Sequence, residues 1–264
     1  MKFALIDGNR AEASKGAKGL CPSCGSEVIA KCGEVKVHHW AHKGNRTCDP
    51  WWENETDWHR SWKGQFPTDW QEVIHSDQNG EKHIADVKTE CGWVLEFQHS
   101  LLNPEERRAR EDFYTKLVWV VDGLRRKRDR GQFVDGLKRA GAVWNAPLIL
   151  RVPFPEECRL LKEWLECSAP VFFDFQESNE SKDSVLWLLY PKTDGEVYLS
   201  HVARNTFIEF HQNNRFDELA KNVIFAIRDF LASNRRTSLA TRQDSSPIVL
   251  PRVGGYSVRR RGRL

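Results

Sequence analysis

The chain has 264 residues, 29% of them charged and 40% hydrophobic, which excludes a collagen-like or disordered chain and allows one substantial core or two smaller ones. No apolar run reaches the roughly eighteen residues of a membrane span, and the opening stretch Met1–Gly16 soon turns polar, so no span or secretory leader is expected and a cytoplasmic protein is. The net charge of +3 hides an asymmetry, because eight arginines and one acid lie from Arg235 onward and leave the rest of the chain net acidic. Seven of the nine histidines precede residue 100, which concentrates the polar chemistry there.

Residues 1–50 are rich in Gly, Cys, Lys and His, and the short alternating stretches Glu27-Val-Ile-Ala and Val35-Lys-Val predict small hairpins around a knuckle, with too few apolar residues for a core of their own. The pattern Cys21-x2-Cys24-x14-His39-x2-His42 supplies four soft or borderline donors at the spacing of a structural Zn²⁺ site. Its His-x2-His is tighter than that of a common zinc finger, so a ribbon is expected rather than a recognition helix. Cys32, His38 and Cys48 are substitutes among which spacing does not choose. An odd total of seven cysteines with a C-x2-C pair suits metal chemistry in a reducing compartment better than a disulfide framework.

Within residues 51–66, Trp58, Trp62 and Phe66 recur four apart and predict one amphipathic helix stopped by Pro67. Glu55, His59 and Lys63 form a second, polar stripe on it. A Glu can hold a metal or a water, a His can shuttle a proton near neutrality, and a Lys can stabilise a phosphate. The same stripe also describes an ordinary exposed face with a Glu-Lys pair.

Three strands are expected next, Gln71–His75, Lys82–Thr89 and Trp93–Gln98, with Asp77-Gln-Asn-Gly80 turning between the first two. The loop Glu90-Cys91-Gly92 makes a three-residue hairpin whose register sets Asp86 opposite Glu96, Lys88 opposite Val94 and Ile84 opposite Gln98. Like charges directly across a ladder repel, and a divalent cation between them removes the objection. By alternation Asp86, Lys88, Glu96 and Gln98 share one face, read as chemistry, and Ala85, Val87, Trp93, Leu95 and Phe97 the other, read as core. Oxygen-only donors suit Mg²⁺ or Mn²⁺. A one-residue slip of the hairpin would undo this reading.

A helix starting at Asn103-Pro104 and running to about Lys116 follows, then a continuous apolar strand, Leu117–Val121, of the kind buried on both faces. A basic run, Arg125–Arg130, precedes a strand at Ala146–Val152, a helix near Glu156–Glu166, strands near Val171–Phe175, Val185–Tyr190 and Val197–Val202, and a helix from Phe216 to Ala232. The last thirty residues have no periodicity and read as a disordered basic tail, which, like the Arg125–Arg130 run, has the charge to contact phosphates. The expected organisation is an α/β (mixed-sheet) protein with an N-terminal segment 1–50, a core 51–152, a C-terminal α/β region 153–234 and a tail 235–264.

On Cys21-Pro-Ser-Cys24, His39-Trp-Ala-His42, Glu55-x3-His59-x3-Lys63, Ala85-Asp86-Val87, Glu96-Phe-Gln98-x-Ser100 and Arg110-x3-Tyr114, taken in order and spacing, the sequence resembles the competence protein CoiA-like nucleases of the PD-(D/E)XK superfamily. The resemblance implies a nuclease core with a zinc-ribbon-like N-terminal piece. It implies Asp86 and Glu96 as ligands of catalytic Mg²⁺, and Arg110 and Tyr114 facing the site or holding phosphate. Gln98 stands where most of the superfamily has a catalytic Lys, which leaves that role to Lys63 or Lys88. The function so implied is metal-dependent hydrolysis of DNA in uptake, recombination or defence. A catalytically inactive DNA-binding or recombination module, with recombination or DNA-processing proteins as partners, and an adaptor acting through the C-terminal half are the alternatives.

Overall fold

The N-terminal segment builds a sheet from five short strands: β1 (Phe3–Ile6), β2 (Asn9–Glu12), β3 (Lys18–Leu20), β4 (Glu27–Lys31) and β5 (His39–His42), in the order β2-β1-β3-β4-β5. The computed structural model describes residues 1–44, 48–51, 55–176, 184–193 and 196–243. The expected strand Val35-Lys-Val is a bend instead, with Val35 95% exposed, and pairing resumes only at His39. The segment does bury a small core, Met1, Ala4, Ala13, Cys21, Val28 and Trp40, supplemented by Ile84 from the neighbouring sheet. Lys2 and Phe3 also donate their backbone N–H groups to the Glu72 carboxylate, at 2.7 and 3.1 Å, tying the two sheets together.

The expected helix over 51–66 is shorter, α1 (Asp57–Lys63). Thr56 caps it: its hydroxyl accepts from the His59 N–H and its own N–H donates to His59 Nδ1, so the chain enters the helix only there. Then come β6 (Gln71–Ser76), β7 (Lys82–Lys88), β8 (Val94–Gln98), α2 (Pro104–Phe113, capped by Asn103) and β9 (Leu117–Asp122). The chain continues through α3 (Asp129–Arg139), β10 (Gly141–Asn145), β11 (Leu148–Val152), α4 (Arg159–Trp164), β12 (Val171–Asp174), β13 (Val185–Thr193), β14 (Glu196–Ala203), α5 (Arg204–Gln212) and α6 (Phe216–Gln243). The fold is mixed α+β.

The nine strands β6 to β14 form one sheet in the order β10-β11-β14-β13-β12-β9-β8-β7-β6. Because β9 pairs with β12 and β11 with β14, the expected boundary at residue 152 divides no sheet. At the centre β9 is buried along its whole length and runs parallel to both β8 and β12. Trp119 and Val121 pack with Tyr114, Phe133, Leu160 and Trp164 on one face. Val118 and Val120 pack with Trp62, Phe97, Phe207 and Phe216 on the other. Two opposed cores of this size anchor the strand ends rigidly.

Three elements were not expected. Helix α3 carries Gly131 and Gly136, which weaken helix propensity, and is held by burial of Phe133 and by Asp129, which takes Arg126 Nε at 2.9 to 3.0 Å. Strand β10 is largely exposed at the sheet edge, and α5 buries Phe207, Ile208 and His211. The helix expected over 156–166 breaks into a 3₁₀ turn, Pro155–Glu157, and α4. Residues 235–243 of the expected tail continue α6, and the remainder of that expectation lies outside the described residues. Among the described residues no helix is long and apolar enough to cross a membrane.

A buried acidic pocket and a cysteine-histidine cluster

The β7–β8 hairpin has the register its loop predicts, Val87 facing Leu95 and Lys88 facing Val94. Gly92, at φ +86°, supplies the left-handed turn residue. Beyond Val87 the backbone ladder gives way to side chains. The Asp86 carboxylate accepts the Phe97 N–H at 3.0 Å, and Glu96 Oε1 lies 3.4 Å from the Asp86 N–H. Strand β6 adds a third acid, since Gln71 faces Val87 and Val73 faces Ala85, which sets Glu72 across from Asp86. Three adjacent strands therefore present a row of carboxylates, Glu72, Asp86 and Glu96.

Helix α1 closes this row. Lys63 Nζ, buried, lies 2.9 Å from Glu55, 3.0 Å from Glu72 and 3.3 Å from Asp86. Burial opposes its charge, but Glu72, Asp86 and Glu55 outweigh burial and hold the ammonium far above its usual pKa. For Glu72, burial is likewise overcome, chiefly by Lys63, and its pKa falls to about 2. Glu96 goes the other way. Burial, then the Asp86 charge, push it up to about 8 against the opposing pull of Arg110. Arg110 NH1 donates to Glu96 Oε2 at 2.9 Å, and NH2 donates to the Trp51 carbonyl at 2.6 Å and to Glu106.

Glu55, His59, Lys63, Glu72, Asp86, Glu96 and Arg110 line one pocket with a free volume near 60 Å³. That is room for a hydrated ion and not for a nucleobase. The His59 ring lies at its wall with Nδ1 accepting in the helix cap, so the neutral ring carries its proton on Nε2.

Several expected residues lie elsewhere. Gln98 is outside the pocket lining and donates to the Ser100 carbonyl and hydroxyl, both at 3.2 Å. Lys88 is bound to His75 Nδ1 at 2.7 Å. Tyr114 is not among the pocket-lining residues but is buried behind them, against His75, Phe113 and the lining residue Trp51. Arg110 does reach the pocket, but it grips Glu96 rather than facing solvent. On the face expected to carry the chemistry, Asp86 and Lys88 are half-buried while Glu96 and Gln98 are buried, Glu96 under Arg110 of α2. In the Arg125–Arg130 run, Arg125 and Arg126 turn inward to Glu163 and Asp129.

The sequence reading missed Glu72, Asp49 and Asp174. The register of β6 on β7, centred on Asn79, sets Glu72 against Asp86, whereas the expected turn Asp77–Gly80 left that register open by one residue. Asp49 ties His83 Nδ1 at 3.1 Å to the Ile84 N–H at 2.9 Å beside the pocket. Asp174, buried at the end of β12, accepts from the indole N–H of both Trp58 and Trp62, at 3.0 and 2.8 Å, and so fixes the roll of α1.

In the N-terminal sheet, Cys21, Cys24, His42 and Cys48 bring one donor atom each within 4.8 Å of one another. Cys21 and Cys48 sulfurs are 3.8 Å apart, and His42 Nε2 is 3.4 Å from Cys24 and 3.3 Å from Cys48. A tetrahedral Zn²⁺ with Zn–S near 2.3 Å has an S···S edge of about 3.8 Å, so the donor set fits that ion. The fourth ligand position is Cys48, not the expected His39, whose Nδ1 turns to the Val37 carbonyl at 2.9 Å. Burial raises the Cys24 pKa, but hydrogen bonds from Ser26 and His42 bring it down to about 6. Burial together with Cys21 and Cys24 pushes Cys48 up to about 12.

Residues 7–50, which contain all four residues of this cluster, match the family model "Competence protein CoiA, N-terminal domain". A stretch of 144 residues is 35% identical to competence protein CoiA of Bacillus subtilis (strain 168), covering 50% of this chain and 38% of that relative. No solved structure matches.

Proposed function

From the premise that the chain is CoiA-like, we propose a divalent-metal-dependent nuclease that hydrolyses DNA phosphodiester bonds on a PD-(D/E)XK-like core, acting in the cytoplasm in competence-associated DNA processing. The observation that carries this reading is the pairing of Asp86 with Glu96 where the backbone ladder opens into a water-sized pocket. Two carboxylates so placed repel, and burial followed by the Asp86 charge raises the Glu96 pKa. A hard cation relieves it, and the oxygen-only donor set suits Mg²⁺ or Mn²⁺. When bound there, such an ion supplies a nucleophilic hydroxide and neutralises charge on the phosphate.

The residues around the pair have separable tasks. Arg110 orients Glu96 and keeps the second carboxylate oxygen committed. Lys63, whose proton is held tightly, serves as a fixed positive charge for a phosphate oxygen beside Asp86, taking the part that neither Gln98 nor Lys88 is placed to play. Glu55 and Glu72 keep that ammonium aimed into the pocket. His59 presents an Nε2–H donor at the wall. The zinc-capable sheet supports the pocket from below through the Lys2 and Phe3 amides on Glu72.

The test is a cleavage screen of purified protein on linear, circular, single-stranded and branched DNA with Mg²⁺ or Mn²⁺. Cleavage of at least one form that is lost in Asp86→Ala is expected. Inactivity on every form contradicts the reading. One observation favours a second reading, a non-catalytic DNA-binding or recombination module: the Lys63 ammonium pairs with three carboxylates, Asp86 among them. On that reading Asp86→Ala leaves DNA binding unchanged and no cleavage is seen in the parent protein.

A further inference from the structure

Phosphodiester hydrolysis needs a proton on the departing oxygen. Lys63 holds its proton against three carboxylates and Arg110 is committed to Glu96. The residue that follows β8, His99, is paired with a buried carboxylate of its own. Its Nδ1 lies 2.7 Å from Asp122 Oδ2. Asp122 is buried at the end of β9, and its other oxygen accepts from the Leu124 N–H at 2.8 Å and the Gln176 amide at 3.0 Å, so this carboxylate cannot swing away. The ring stands 6.1 Å from the His59 ring and 6.4 Å from Trp58, beside the pocket wall. The His99 side chain is 39% exposed, against 3% for the histidine of the other buried carboxylate pair, His83–Asp49.

A buried carboxylate on Nδ1 fixes the tautomer and steadies an imidazolium, which makes Nε2 the nitrogen that exchanges protons. Resting on the nuclease reading, we propose that His99, oriented by Asp122, is the general acid that protonates the leaving oxygen of the cleaved phosphodiester. A water oxygen bonds to phosphorus and gives its proton to solvent. The bond from phosphorus to the bridging ester oxygen breaks, and its electron pair stays on that oxygen. The Nε2 proton of the His99 imidazolium moves to it, releasing an alcohol, and the neutral ring regains a proton from solvent. Asp122 stays ionised throughout and is a positioning residue.

The test compares two substrates with the full-length protein and Mn²⁺: a DNA form cleaved by the wild type, whose leaving alkoxide needs a proton, and bis(p-nitrophenyl) phosphate, whose leaving phenolate does not. His99→Gln is expected to slow DNA cleavage by about 10²- to 10³-fold and hydrolysis of the activated ester by less than about threefold. Asp122→Asn should lower kcat on DNA with KM unchanged. Equal loss on both substrates, or no loss on DNA, overturns the assignment while leaving the nuclease reading intact. A wild type inactive on every DNA form overturns both.

Discussion

The cysteine-histidine cluster and the acidic pocket are two ion-capable arrangements with opposite physical backing. The cluster sits on a five-stranded sheet whose own buried core is six residues, several of them small. The pocket sits on a nine-stranded sheet with a large hydrophobic core on each face. In the first region, bonds from sulfur and nitrogen to a metal would make up for missing apolar burial. In the second, burial is ample enough to hold Lys63, Glu72, Glu96 and Arg110 out of water, and the charges balance one another. Metal loss should therefore unfold the first region and leave the second standing.

The largest effect should come from breaking the cluster. The protein is expected to carry one zinc per chain, and Cys48→Ser should abolish it, while His39→Ala should retain it. Elemental analysis decides between the two residues, and retention of zinc in Cys48→Ser would contradict the observed donor set. The same loss should expose amides of residues 1–44 to hydrogen exchange without changing the protection of β9.

Next in size is the removal of the pocket's own cation. Lys63→Met strands the Glu55, Glu72 and Asp86 carboxylates and should cost about 3–5 kcal/mol in urea unfolding. Added Mn²⁺ should recover part of that loss, because it supplies positive charge to the same oxygens. A change below about 1 kcal/mol would mean that water, not Lys63, balances these acids. Smaller again is Asp174→Asn, which weakens two indole hydrogen bonds to a buried carboxylate and should cost roughly 1.5–3 kcal/mol. It should also shift tryptophan fluorescence, since it frees Trp58 and Trp62 of α1. Unchanged fluorescence would remove Asp174 from its positioning role.

The same contrast explains what the sequence disclosed. The Asp86–Glu96 register was legible because a three-residue loop with Gly92 fixes pairing locally, and the Glu55, His59, Lys63 stripe was legible because helical spacing is local too. Glu72 was not, although its turn was read, because its part depends on a third strand and on a left-handed backbone at φ +48°. Spacing put His39 first and left Cys48 as a substitute, and only the fold of β4 against β5 shows that Cys48 comes back to the cluster. Gln98 and Lys88 share a face with the acids by alternation, yet neighbours beyond the hairpin, Ser100 and His75, draw them off. Helix α3 escaped notice because its glycines mask a stripe that tertiary packing supplies.

The central claim is that Asp86 and Glu96 together hold a hard divalent cation, and calorimetric titration with Mn²⁺ across pH tests it most directly. Burial and the Asp86 charge place the Glu96 pKa near 8, so below that pH a proton competes with the ion. Affinity should rise about tenfold per pH unit up to about pH 8 and level off above it. Asp86→Ala should abolish binding at every pH. Binding that is absent in the wild type, or that is indifferent to pH and to Asp86→Ala, would contradict the account.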